Sequence, residues 1–230
     1  MRRPADFQAR EPGRTTYLDG VRAAAPIGVA ALAFGVSFGV LARAADMGSV
    51  APVVMSVTTF AGSAQFAVAS ILGAGGGLVT AIVAAILLNL RYGPIGLSAA
   101  TTLEGPWWRR ALTAQLIVDE SWAIAQRDDG RLDRHLLVGA GLLLFVSWTT
   151  GTVIGTFAGD LVADPESLGL DAAFPALFLV LLWSQARGRS RLLAALGGAA
   201  IALVLMPFTG PGIPIVAASL ACLIGVRKPS

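Results

Sequence analysis

Residues 23–42 read AAAPIGVAALAFGVSFGVLA, a run without a charged side chain, bounded by Arg22 and Arg43. A helix that crosses a bilayer needs about 20 apolar residues, and a stretch of that length with no charge needs a solvent other than water. The run is too long for the apolar core of a cleavable signal. It is therefore expected to be the first span, kept in the mature protein, with residues 1–21 as a polar, Arg-rich tail in front of it.

The pattern recurs outward from this run. Further apolar segments are expected at about 52–72, 78–103, 107–126, 136–158, 172–186 and 192–226. The third is interrupted by Asn89-Leu90-Arg91-Tyr92-Gly93-Pro94, and the last by Pro207, Gly210-Pro211 and Pro214. Composition agrees: 55% of residues are hydrophobic and 13% charged, against roughly a quarter charged in soluble domains, and mean hydropathy is +0.72. The predicted fold is an all-α integral membrane protein of about seven transmembrane helices, alternatively eight, two of them discontinuous, with an internal structural repeat. The 230 residues leave no room for a separate soluble domain. The net charge of +3 comes from arginines flanking apolar segments, a membrane-orientation signal rather than a nucleic-acid footprint. One cysteine, Cys222, and one histidine, His135, make neither a disulfide nor a zinc site. No metal or cofactor is expected.

Arginine asymmetry predicts the orientation. Arg2, Arg3, Arg10, Arg14 and Arg22 mark the tail, Arg127, Arg131 and Arg134 mark 127–135, and Arg187, Arg189 and Arg191 mark 187–191, so these three regions are expected in the cytoplasm. Residues 159–171 carry Asp160, Asp164, Glu166 and Asp171 and no Lys or Arg, and are expected outside. Trp107 and Trp108 read as an interfacial anchor. The repeat is read from markers recurring in order. Gly35-x-x-x-Gly39 with Ala42 returns as Gly151-x-x-x-Gly155 with Ala158, Met47-Gly48 with Pro52 resembles Leu168-Gly169 with Pro175, and Gly93-Pro94 resembles Gly210-Pro211. The chain then divides into the tail 1–21, a first repeat 22–106, a linking helix and loop 107–135, and a second repeat 136–226.

Intramembrane polar groups are expensive and so point to function. Arg91 sits in a segment broken at Gly93-Pro94, where Asn89 can satisfy freed carbonyls. It suits a substrate carboxylate, or else a permanent ion pair with Asp119 or Glu120, or a side chain that snorkels to the interface. Gln115, Asp119, Trp122 and Gln126 would share one stripe of a continuous fourth helix, facing the interior, with Glu120 on another face beside Leu116 and Ala123. Asp119 could bind a substrate ammonium or, with Glu120, take up a coupling proton. Gln65 reads as a substrate contact and Ser63 as packing. Without a Walker-type loop, energy would come from an ion gradient.

These motifs in this order resemble the AzlC family of branched-chain amino acid permeases. The resemblance rests on Pro26, Gly35 and Gly39, Ala61-Gly62-Ser63-Ala64-Gln65-Phe66, Asn89-Leu90-Arg91 and Asp119-Glu120, within residues 18–165. Tyr92 stands where relatives often carry His. The resemblance implies export of branched-chain amino acids across the cytoplasmic membrane with a small AzlD-type membrane partner. Two other readings stand beside it. In a non-transporting scaffold the three intramembrane charges would pair permanently. An intramembrane enzyme would need a metal cluster or Cys/His pair that the sequence does not offer.

Overall fold

The computed structural model describes residues 15–127, 131–158, 189–210 and 213–221. The acidic 159–171 connection, the segment at 172–186, Arg187, Pro211 and Cys222 lie outside them. Every described regular element is helical: α1 Tyr17–Ala44, α2 Val50–Thr58, α3 Gly62–Gly73, α4 Leu78–Asn89, α5 Tyr92–Ala99 with a 3-10 turn Ala100–Thr102, α6 Trp107–Ala114, α7 Asp119–Ala125, α8 Arg134–Ala158, α9 Arg189–Leu205, and α10 Ile213–Ala218 with a 3-10 turn Ser219–Ala221. Two of them, α1 and α8, are long and apolar enough to cross a membrane, and the bent pair α4–α5 makes a third if taken as one span. Large apolar side chains such as Val29, Leu97, Val146 and Phe157 face outward, which suits lipid and not water.

Helices α1 and α8 form the axis. Thr16 caps α1 through a capping box, its hydroxyl accepting the Asp19 N–H and the Asp19 carboxylate accepting the Thr16 N–H (2.9 Å). Asp133 caps α8, its carboxylate accepting the N–H groups of His135 (2.8 Å) and Leu136 (3.2 Å). The two glycine motifs meet face to face. A Cβ on Gly35 would lie 2.5 Å from the Trp148 carbonyl oxygen, and one on Gly151 would strike the Leu32 carbonyl. Gly39 and Gly155 repeat the arrangement one turn on, against Thr152 and Val36. Small residues let the two backbones touch, which is how helices associate where lipid competes for apolar surface. Gly20 lies on Leu136 and Ala140 while Gly39 lies on Thr152 and Thr156, so the two helices run in the same direction. At their shared start, Asp133 accepts from Thr15 and Arg127, and Arg134 donates to the Tyr17 hydroxyl (3.4 Å).

The expected second, third and fourth segments are each divided, and two of those divisions correct the sequence reading. Segment two reads in sequence as one helix, but it breaks at 59–61. Phe60 has φ 41°, a left-handed value costly for a bulky side chain. Ala61 N–H is accepted by the Gln65 side chain (3.2 Å) instead of by the helix. Segment three breaks as expected, but at Leu90-Arg91, three residues before Pro94, with a 42° bend. Proline has no N–H for the carbonyl four residues back and its ring crowds that carbonyl. Leu90 O therefore takes the Gly93 N–H instead (3.0 Å). Segment four reads as one helix and is two. Val118 is extended (φ −125°, ψ 169°), and the Ser121 hydroxyl accepts its N–H (2.9 Å) while reaching the Leu116 carbonyl (2.8 Å). The polar stripe expected from Gln115 to Gln126 therefore does not exist. Gln115 donates to the last carbonyls of α2 at Val57 and Thr58 (3.0 Å each), and Trp122 donates to Ser98 (2.8 Å). Helix α6 buries nothing among the described residues and exposes Trp107, with Arg109 over the Trp108 ring, the habit of a helix lying in the interface. The last stretch divides near Pro207 and Gly210, and Val216 of α10 packs on Val68, Ile71 and Ala81.

Candidate functional site

The three divided segments send their second halves to one place. Ser63 in the first turn of α3, Arg91 and Tyr92 at the start of α5, and Val118, Asp119 and Glu120 at the start of α7 all line one cavity of about 140 Å³. Its remaining wall is apolar and includes Ile27, Ala31 and Phe34 of α1, Phe60, and Leu144 and Trp148 of α8. Those positions fall near the middle of both long helices, so the cavity lies at mid-depth of the span they define. Cavities of roughly 150 Å³ accept a molecule the size of benzene. The site is thus an apolar chamber with one polar end.

Arg91 organises the polar end. Its Nη1 meets Asp119 Oδ2 at 3.0 Å, and its Nη2 donates to the Ser63 hydroxyl at 3.0 Å and to the Tyr92 hydroxyl at 3.4 Å. The guanidinium carbon lies 5.1 Å from the Tyr92 ring centroid. Its Nε is buried without an acceptor among the described residues. Both side chains of the ion pair keep about a third of their surface exposed (37% for Arg91 and 30% for Asp119), so a solute entering the cavity can reach them. Glu120 lines the same cavity, and neither a hydrogen bond to another residue nor an ion pair holds its carboxylate among the described residues.

The cavity stands on a buried polar cluster beneath it. Ser56 Oγ accepts from Gln65 Nε2 (2.8 Å) and Trp148 Nε1 (3.2 Å), which leaves its proton for Thr152 Oγ1 (2.8 Å), and Thr152 donates to the Trp148 carbonyl (2.9 Å). Trp148 also stacks against Phe38 and meets Phe66 edge-on. It covers Gly62, where a Cβ would come within 2.8 Å of its ring.

Of the residues singled out from sequence, Arg91, Asp119 and Glu120 are brought together. Gln65 is fully buried and does not line the cavity. Its amide is used to hold the α2–α3 break. Asn89 faces a separate apolar groove beside Met55 and Ile86, with its Oδ1 buried and unpartnered among the described residues. Gly93 and Pro94 are exposed in the first turn of α5, and Gly210 lies at the later break. Ser63, read as packing, instead accepts from Arg91. Sequence reasoning does not single out Phe60, Tyr92 and Trp148 as cavity walls. Their one sequence signal is an aromatic ring placed within a turn of a break or a glycine motif. Among the described residues no cluster could hold a metal ion.

The family described as "AzlC protein" matches residues 26–162, from α1 through α8 and so across the whole cavity lining. The chain is similar to an uncharacterized membrane protein of Archaeoglobus fulgidus, 32% identical over 198 residues covering 85% of this chain and 87% of the other. It is similar to the inner membrane protein YgaZ of Escherichia coli, 29% identical over 84% of each chain. It is also similar to the branched-chain amino acid transport protein AzlC of Bacillus subtilis, 26% identical over 89% of this chain and 82% of the other. No solved structure matches.

Proposed function

The chain belongs to the AzlC family, and on that premise we propose that it is a secondary transporter moving branched-chain or similar apolar amino acids across the cytoplasmic membrane. The observation that carries this reading is the cavity itself. One end holds a guanidinium and two carboxylates, and the other is an apolar pocket of a size suited to a short aliphatic side chain. A zwitterionic amino acid needs one cationic contact, one anionic contact and an apolar wall. Arg91 offers a substrate carboxylate the nitrogens it now shares with Asp119, Ser63 and Tyr92. Sites where broken helices meet at mid-depth are the usual construction in transporters.

The finer reading has four parts: export, coupling to an ion gradient, a small AzlD-type membrane partner, and a cytoplasmic N-terminus. About seven spans would be arranged as two three-segment repeats, 22–106 and 136–226, around the linking element. The parallel α1–α8 contact supports repeats related by an axis along the membrane normal. The 3.0 Å pair between Arg91 and Asp119 also favours one competing reading, a scaffold whose charges never part. Counterflow separates the two. Proteoliposomes loaded with unlabelled leucine and holding the chain with its small partner should take up labelled leucine. Folded, reconstituted protein that exchanges no leucine, isoleucine or valine would support the scaffold instead.

A further inference from the structure

Two carboxylates and one guanidinium share the polar end of the cavity, and the charges do not balance. Asp119 is matched by Arg91 at 3.0 Å. Glu120, the next residue, turns about 100° away on the helix and has no matching cation among the described residues. The groups around it can be named element by element: Asp119 on its own helix; Arg91 and Tyr92 at the start of α5; Ser63 on α3; Ile27, Ala31 and Phe34 on α1; Leu144 and Trp148 on α8. Arg91 is the sole cation among them, and it is engaged. Glu120 is exposed at the edge of the cavity, and a second ionised carboxylate beside Asp119 leaves unbalanced negative charge at mid-depth, which is costly. It is relieved by binding a proton, or by a cation that arrives from outside the protein.

We propose that Glu120 is the coupling residue, and that a proton and the substrate's ammonium group occupy its carboxylate in turn and never together. The inference rests on the transport reading above. With the cavity empty, Glu120 carries a proton and the site is neutral: Arg91 positive, Asp119 negative, Glu120 neutral. A substrate ammonium displaces that proton to the aqueous phase from which the substrate entered and pairs with the carboxylate. The zwitterion adds no net charge, so the loaded site is negative by one. Returning the protonated, empty site completes the cycle. Each turn moves one proton against one amino acid, and one net positive charge travels with the proton. Transport is then an electrogenic exchange, driven by both the pH gradient and the membrane potential. Asp119 has a different duty, since it holds Arg91 in place.

The test uses the full chain with its small partner in proteoliposomes and labelled leucine as the probe. The potential is clamped while a pH gradient is imposed. Wild-type vesicles with an acidic lumen should accumulate leucine by up to about tenfold per pH unit, the limit for one proton per substrate. Glu120→Gln should abolish that accumulation and the accompanying proton efflux. It should also bind leucine more weakly, with the half-saturating concentration raised several-fold, because an uncharged amide pairs less well with an ammonium than a carboxylate does. Glu120→Asp should keep coupled accumulation with a displaced pH profile, which separates loss of the carboxyl from loss of folding. Gradient-driven accumulation by Glu120→Gln would overturn the assignment, as would leucine binding by that variant unchanged from wild type. Wild-type accumulation in vesicles acidic outside would show proton and substrate travelling together, and would overturn exclusive occupancy. No exchange by the wild type under any condition would bring down the transport reading itself, an outcome distinct from these.

Discussion

Arg91 spends Nη1 on Asp119 and Nη2 on Ser63 and Tyr92, and leaves Nε idle. Removing the guanidinium therefore strands a carboxylate at mid-depth. Breaking a fully buried pair costs about 3–5 kcal/mol, and the partial exposure of both side chains places this pair below that range. Arg91→Ala should abolish leucine exchange and lower the thermal midpoint in detergent. Asp119→Asn on that background should recover the midpoint without recovering exchange. Arg91→Lys should recover little of either, since an ammonium cannot reach Asp119, Ser63 and a substrate carboxylate with one fixed fork. Normal exchange by a well-expressed Arg91→Ala protein would remove Arg91 from the site. The importance of Arg91, Asp119 and Glu120 is legible in sequence, because charge inside apolar runs has to be justified by a partner or a task. Which acid takes the guanidinium is not legible. That depends on α7 starting at Asp119, and the start is set by an extended Val118 whose N–H goes to a serine three residues later, with no Gly or Pro to announce it.

The pairing of α1 with α8 separates glycines that look alike in sequence. A Cβ added at Gly35 would meet the Trp148 carbonyl, whereas one added at Gly96 would find nothing within 4 Å, in ordinary helical backbone. Gly35→Ala must push two backbones apart, and overpacking of that kind costs typically about 1–3 kcal/mol. Gly96→Ala should be neutral or stabilising by up to about 1 kcal/mol, from helix propensity and a less flexible unfolded chain. Thermal unfolding of the two purified variants tests the contrast, and equal losses would contradict the packing described. Continuous helices and the Pro94 kink are readable from run length and proline. The Phe60 break is not, because it is made by an aromatic residue in a left-handed conformation and by Gln65, which sequence presents as one more intramembrane amide. Helix α6 misleads for another reason: its Trp and Arg residues flank an apolar window long enough to read as a span, and the break appears only in three dimensions.

At the scale of the whole molecule, the clasp between the start of α1 and the start of α8 closes on Asp133. Burial alone would raise its carboxyl, but hydrogen bonds from Thr15, Arg127 and the backbone N–H groups of Leu136 and His135 outweigh it and lower it from 3.8 to about 2. A group depressed in this way stabilises the folded state above its unfolded value and loses that contribution as pH falls through the folded one. Stability from Asp133 should thus be full above about pH 4 and decline towards pH 2, worth about 2 kcal/mol in all. Asp133→Asn should lower the midpoint at neutral pH and flatten its fall over that acid window, measured by thermal unfolding in detergent, and an unchanged acid profile would contradict the clasp. The same contact carries a counting rule. Two helices lying side by side and pointing the same way must traverse the bilayer in the same sense, so the stretch 45–133 that joins them can only make an odd number of passages. Three divided segments stand in that interval. A chain that used one of them as a re-entrant loop would have to do the same with a second, or deliver α8 upside down.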